Sequence, residues 1–168
     1  MPKAVEQNSI LDYRYVPTKV NASLFQEELE PDGDLSATAL SSDNMQRVLI
    51  DACGWVAVVE AGINIDIALT ELIGPAEICV FPTVKREIET IAKNGGNSIL
   101  LPLLNAKATI VEADLESGSH PDDQLFDLSF KNKWRILTID KYLKQRLADA
   151  GLSWIEVQGR KRLVLLEN

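Results

Sequence analysis

From residue 46 onward the chain alternates short apolar runs with longer amphipathic segments. Arg47-Val48-Leu49-Ile50-Asp51 is a compact apolar run closed by an acid, which predicts a buried strand. Residues 55–60 and 64–73 read as helices, with Gly62 and Gly74 as breaks and Asn64 as an N-cap. A second strand is predicted over 77–81, and Pro82 opens a helix that Asn94-Gly95-Gly96 stops. The remaining pattern gives a helix over 98–106, a strand over 108–112, a helix over 122–131 and a strand over 134–139. A helix over 141–150, closed by Gly151, and a fifth strand over 154–157 complete it. Residues 163–166 form one more apolar run, suited to an edge strand after the Gly159 turn.

Strands that alternate with helices predict an α/β fold: a three-layer sandwich around a central, mostly parallel, five-stranded sheet. In such sheets ligands collect beyond the C-terminal strand ends, where strand order reverses. Residues 1–45 break this regularity. Glu27, Glu28, Glu30, Pro31, Asp32, Gly33 and Asp34 make a polar, turn-rich stretch, and a Ser/Thr-rich stretch follows. They are expected to form an acidic, partly flexible N-terminal extension, with a short docking strand at 11–16, ahead of a domain over 46–168.

Composition narrows the chemistry. Hydrophobic residues make up 46% of the 168, enough for a sizeable core. No apolar run approaches the roughly 20 residues of a membrane helix, and the N-terminus lacks the basic-then-apolar form of a secretory signal. The expectation is a cytoplasmic protein with no membrane association. Two cysteines and one histidine exclude a disulfide scaffold and a Cys- or His-rich zinc site. The net charge of −8 is uneven: residues 131–162 carry nine basic side chains against three acidic ones. A basic segment inside an acidic protein reads as a solvated surface or as a phosphate-contacting rim.

Five acids fall at the strand ends or near them. Asp51 closes the first strand, Asp140 follows the fourth, Asp122 and Asp123 open the helix before it, and Glu87 lies in the helix after the second. Each acid has an ordinary use of its own: helix N-terminal charge for Asp122 and Asp123, a cap for Asp140, a surface ion pair for Glu87. Asp51 is harder to explain this way, because a carboxylate after a buried strand is costly unless satisfied. Several carboxylates on one rim need a countercharge, and an all-oxygen donor set suits Mg²⁺ or Mn²⁺. His120 reads as a loop residue, and Trp55, Trp134 and Trp154 read as packing residues.

The segments VLIDAC (48–53), INIDIALTELI (63–73), FPTVKREIETIA (81–92), HPDDQLFDLSF (120–130), RILTIDKYLKQRLADAG (135–151) and GRKRLVL (159–165) together resemble a PIN-domain nuclease, of the archaeal type similar to ribosomal RNA-processing PIN proteins. The resemblance spans 47–165. It implies catalytic and metal-holding roles for Asp51, Glu87, Asp123 and Asp140, with Asp122 and Cys53 behind them. It implies Mg²⁺ or Mn²⁺ as cofactor and endonucleolytic cleavage of RNA, in ribosomal RNA processing or as a toxin. The alternative is a catalytically weak or inactive RNA-binding or assembly scaffold. Lys85, Arg86, Lys141, Lys144, Arg160, Lys161 and Arg162 are the expected RNA contacts. An antitoxin or ribosome-assembly protein and a second copy of the chain are the other expected partners. The chain departs from the family at Asp51-Ala52-Cys53, where a hydroxyl or amide usually takes the third position; a thiol is a weaker hydrogen-bonding group. Ile139 replaces the Asn that often precedes the last acid.

Overall fold

A computed structural model describes residues 45–112, 120–159 and 161–167. The expected 1–45 extension, apart from Met45, lies outside them, as do the strand expected at 11–16 and Arg160. The described elements are β1 (Gln46–Ile50), α1 (Ala52–Glu60), α2 (Ile65–Ile73), β2 (Ala76–Val80), α3 (Pro82–Lys93) and α4 (Leu100–Lys107). They continue with β3 (Ala108–Ile110), α5 (Pro121–Asn132), β4 (Arg135–Leu137), α6 (Lys141–Asp149), β5 (Trp154–Gln158) and β6 (Arg162–Leu166).

The strands form one sheet in the order β3-β2-β1-β4-β5-β6. The first five are parallel and β6 runs antiparallel to β5. Among the described residues the sheet therefore has six strands, one more than expected. The extra strand is the 162–166 run, which needs only a tight turn at Gly159, where φ is +62°, to fold back on β5.

The chain steps one way from β1 to β3 and the other way from β4 to β5. Right-handed crossovers place the two sets of helices on opposite faces. α1, α3 and α4 pack together, and α5 packs on α6. Covering both faces explains why the central strands are unbroken apolar runs: Val48, Leu49, Ile50, Cys79, Ile136 and Leu137 are all fully buried. Trp55 lies in this core and donates its Nε1 hydrogen to the Leu100 carbonyl at 2.9 Å, so it packs and does not stack on a ligand.

Gly54 sets the distance between α1 and β4. A Cβ at this position would collide with the Leu137 carbonyl oxygen and lie 2.7 Å from Leu137 Cδ2. The helix thus starts at Ala52, earlier than the sequence pattern suggests, and brings its first turn against the end of β4. The switch in strand order falls between β1 and β4, so the crevice at their C-terminal ends is where a site is expected.

Candidate functional site

Asp51 stands at the end of β1 and caps α1 by position, and its side chain is buried. It is satisfied from the neighbouring strand. Thr138, fully buried just beyond β4, donates from Oγ1 to Asp51 Oδ2 at 2.7 Å. Cys53 Sγ donates to the same oxygen at 2.6 Å and lies 3.5 Å from Thr138 Oγ1. Burial first, and then the Asp51 charge, push the Cys53 thiol up to about 11. The thiol stays protonated at neutral pH and so remains a donor. Among the described residues no donor reaches Asp51 Oδ1. One carboxylate oxygen is thereby held in place from two sides.

Asp140 is tied to the same hydroxyl: its backbone N–H donates to Thr138 Oγ1 at 3.0 Å. Its Oδ1 accepts from the Leu143 N–H at 2.8 Å, so Asp140 is the N-cap of α6. The capping role weighed from sequence is real, and it fixes this carboxylate at the crevice.

Two helices supply the remaining acids. Thr83 Oγ1 donates to Gln124 Oε1 at 3.0 Å and ties the first turn of α3 to that of α5. Glu87 lies one turn beyond Thr83 on the same face of α3. Burial raises its carboxyl above the ordinary value, as do the charges of Asp51 and Asp122, against a smaller lowering by His120. Asp122 is raised by burial, then by Asp51, and further by Asp140, while His120 and Arg146 oppose this. The raised carboxyls of Glu87 and Asp122 place both in the field of Asp51, and Asp122 also in that of Asp140.

Asp123, which the family pattern favours, stands elsewhere. Its Oδ1 accepts from Arg146 of α6 at 2.8 Å, and its side chain is half exposed. Adjacent residues on a helix point about 100° apart. With α5 entering as it does, Asp123, the expected site acid, is engaged by α6, and Asp122, expected behind it, lies in the field of Asp51 and Asp140. His120 precedes them as the N-cap of α5, its Nδ1 accepting from the Asp122 N–H at 3.3 Å.

The oxygen-only donors suit a hard divalent cation that retains part of its water shell. Among the described residues no three His, Cys, Asp or Glu side chains are placed closely enough to grip one ion directly. Contact with a cation would therefore run partly through water.

The sequence profile of the PIN-like domain matches residues 48–160. The chain belongs to the PIN-like domain family. The PIN-like domain also shares its fold with the solved PIN domain endonuclease Utp24, at TM-score 0.63 and 21% identity, over 73% of this chain and 93% of that one. A search of curated proteins found no match.

The expected RNA contacts divide in the PIN-like domain. Arg86 on α3, Lys141 at the start of α6 and Lys161 are exposed, and Lys85 on α3 is half-buried. Lys144 is ion-paired with Glu156 at 2.6 Å and half-buried, so it faces β5. Arg162 donates to Gln158 Oε1 at 2.8 Å along the β5–β6 edge. Thr138 received no role from the sequence, although it lies in the RILTIDKYLKQRLADAG segment; a hydroxyl directly after a buried strand was the available signal. Arg146 offered none, because its partner lies 23 residues away. Among the described residues no helix is long and apolar enough to cross a membrane.

Proposed function

We propose that the chain is a metal-dependent endoribonuclease whose site is Asp51, Glu87, Asp122 and Asp140, with Mg²⁺ or Mn²⁺ as cofactor. The observation that carries this reading is the like-charge field at the β1/β4 switch point, where burial and neighbouring acids raise both Glu87 and Asp122. A divalent cation there supplies charge neutralisation and Lewis acidity for phosphodiester hydrolysis. Thr138 and Cys53 both donate to Oδ2 of Asp51 and hold its carboxylate in place. The α6 N-terminus fixes Asp140. Glu87 and Asp122 would join Asp51 and Asp140 in holding the cation, directly or through its waters. Lys85, Arg86, Lys141 and Lys161 offer positive charge to the backbone. RNA is the substrate class that the sequence resemblance supports, and ribosomal RNA maturation is the role we adopt from it.

The test is cleavage of labelled RNA with Mn²⁺ by the wild type and by Asp51→Asn. Loss of cleavage with an unchanged circular dichroism spectrum is expected. Equal cleavage by the variant overturns the assignment.

The scaffold reading draws on one feature, the absence among the described residues of three acids placed to grip one ion. Calorimetric Mn²⁺ titration separates the two readings. Metal binding by a wild type that cleaves no RNA at any pH favours the scaffold.

A further inference from the structure

A row of aromatic rings and cations descends from the acidic crevice along α5 and α6. Asp122, Phe126 and Phe130 recur at four-residue spacing on α5, so they share one stripe. The Phe126 and Phe130 rings are stacked, with centroids 6.1 Å apart and planes 18° apart. Arg146 of α6 lies over Phe126 at 4.6 Å and over Tyr142 at 5.8 Å. Lys133, just past α5, lies over Phe130 at 4.7 Å. Tyr142 is 69% exposed and Phe130 51% exposed, far more than rings of a packed core. The upper end of the stripe is Tyr142, two residues beyond Asp140. The lower end is Lys133, just past the end of α5.

Past Lys133 the surface opens into a cavity of about 370 Å³ that Arg47, Trp134 and Arg135 also line. Arg47 lies over the Trp134 ring at 4.9 Å, repeating the pairing of cation with ring. Arg135 Nε is buried and has no acceptor among the described residues.

Each ring on this face touches a cation or another ring. Cores of protein–protein interfaces favour aromatic residues and arginine but are depleted in lysine and acids. Base-stacking surfaces combine rings with cations, because bases stack on the rings and phosphates seek the positive charge. Asp123 and Asp127 occupy the neighbouring row of α5, and Arg146 neutralises the first of them. We propose that the α5–α6 face is the track of a single-stranded RNA segment, its bases on the exposed rings of Tyr142 and Phe130, with Phe126 packed beneath them, and a phosphate drawn to the Lys133–Arg135 cavity. The proposal rests on the nuclease reading and adds to it the path of the substrate.

The test measures binding by the full chain, in EDTA, of a short labelled oligouridylate and of an RNA duplex, using fluorescence anisotropy. Tyr142→Ala and Phe130→Ala change exposed side chains. Each should weaken single-strand binding by about 5- to 150-fold, the range for loss of one stacked base. Tyr142→Phe, which keeps the ring, should restore binding, and Phe130→Leu, which keeps only apolar bulk, should not. Duplex binding should change little. Wild-type single-strand affinity in both alanine variants, with Asp51→Asn still inactive, overturns the track and leaves the nuclease reading standing. Unchanged RNA affinity together with conversion of a dimer to a monomer by Phe130→Ala overturns it in favour of an interface between copies. A wild type that neither binds nor cleaves RNA overturns both.

Discussion

Thr138 Oγ1 donates to Asp51 Oδ2 at 2.7 Å and accepts from the Asp140 N–H at 3.0 Å, so one buried hydroxyl sets two acids of the site at once. Accepting from Asp140 leaves its own hydrogen for Asp51. Thr138→Val keeps the shape and deletes both bonds. The loss should lower stability by about 2 kcal/mol, the cost of leaving buried polar groups unpaired. Urea denaturation checks this, and cleavage should fall with it, whereas Thr138→Ser should retain most of both.

Asp122 and Asp123 are adjacent, yet their substitutions should differ. Asp122→Asn should reduce cleavage at least about 100-fold, the upper range for disturbing groups around a metal. Asp123→Asn removes only a surface ion pair, with an expected stability effect below about 1 kcal/mol. Initial rates of the two variants at saturating Mn²⁺ decide the point.

Stability should depend on pH through the acidic crevice. Glu87 and Asp122 titrate above their ordinary values of 4.5 and 3.8 when folded. The folded chain therefore holds more protons than the unfolded chain across that window, and stability falls as pH rises through it. Above the raised values the loss is complete. In EDTA the double variant Glu87→Gln, Asp122→Asn should flatten this slope in urea titrations. At neutral pH a divalent cation at a hundredfold its Kd should return about 2.7 kcal/mol to the wild type and much less to the variant.

Cys53 should be inert toward thiol reagents at pH 8. Its thiol, pushed up to about 11, carries almost no thiolate there. Cys53→Ser keeps a donor to Asp51 and should keep cleavage. Cys53→Ala loses that donor and should lower activity. Labelling kinetics in native buffer and in urea, with cleavage rates beside them, give the check.

Gly54→Ala should destabilise the fold by about 3 kcal/mol, as overpacking against a rigid backbone does. The added methyl meets the Leu137 carbonyl, and backbone cannot rotate away. A fall in thermal midpoint together with lost cleavage is expected.

Much of this architecture was legible in the chain itself. The apolar runs at 48–50 and 78–80 gave buried strands because parallel strands covered on both faces need no alternation. Pro82 and Asn94 marked the α3 boundaries closely. The choice between Asp122 and Asp123 was not legible, because it depends on the rotation with which α5 enters the crevice. That rotation is set by distant contacts such as Thr83 with Gln124 and Arg146 with Asp123. The early start of α1 was hidden for a similar reason: Gly54 looks like a helix breaker until the carbonyl it must pass is known. β6 was ambiguous because a short apolar run at an edge has the same pattern whether or not it pairs.

The hydrogen bond between Thr138 and Asp51 joins positions 87 residues apart, and its consequence concerns timing during synthesis. A nascent chain that has delivered only the first of these residues from the ribosome holds a lone carboxylate with nothing to position it. The paired arrangement forms late, when β4 and the Thr138 that follows it slot in beside β1.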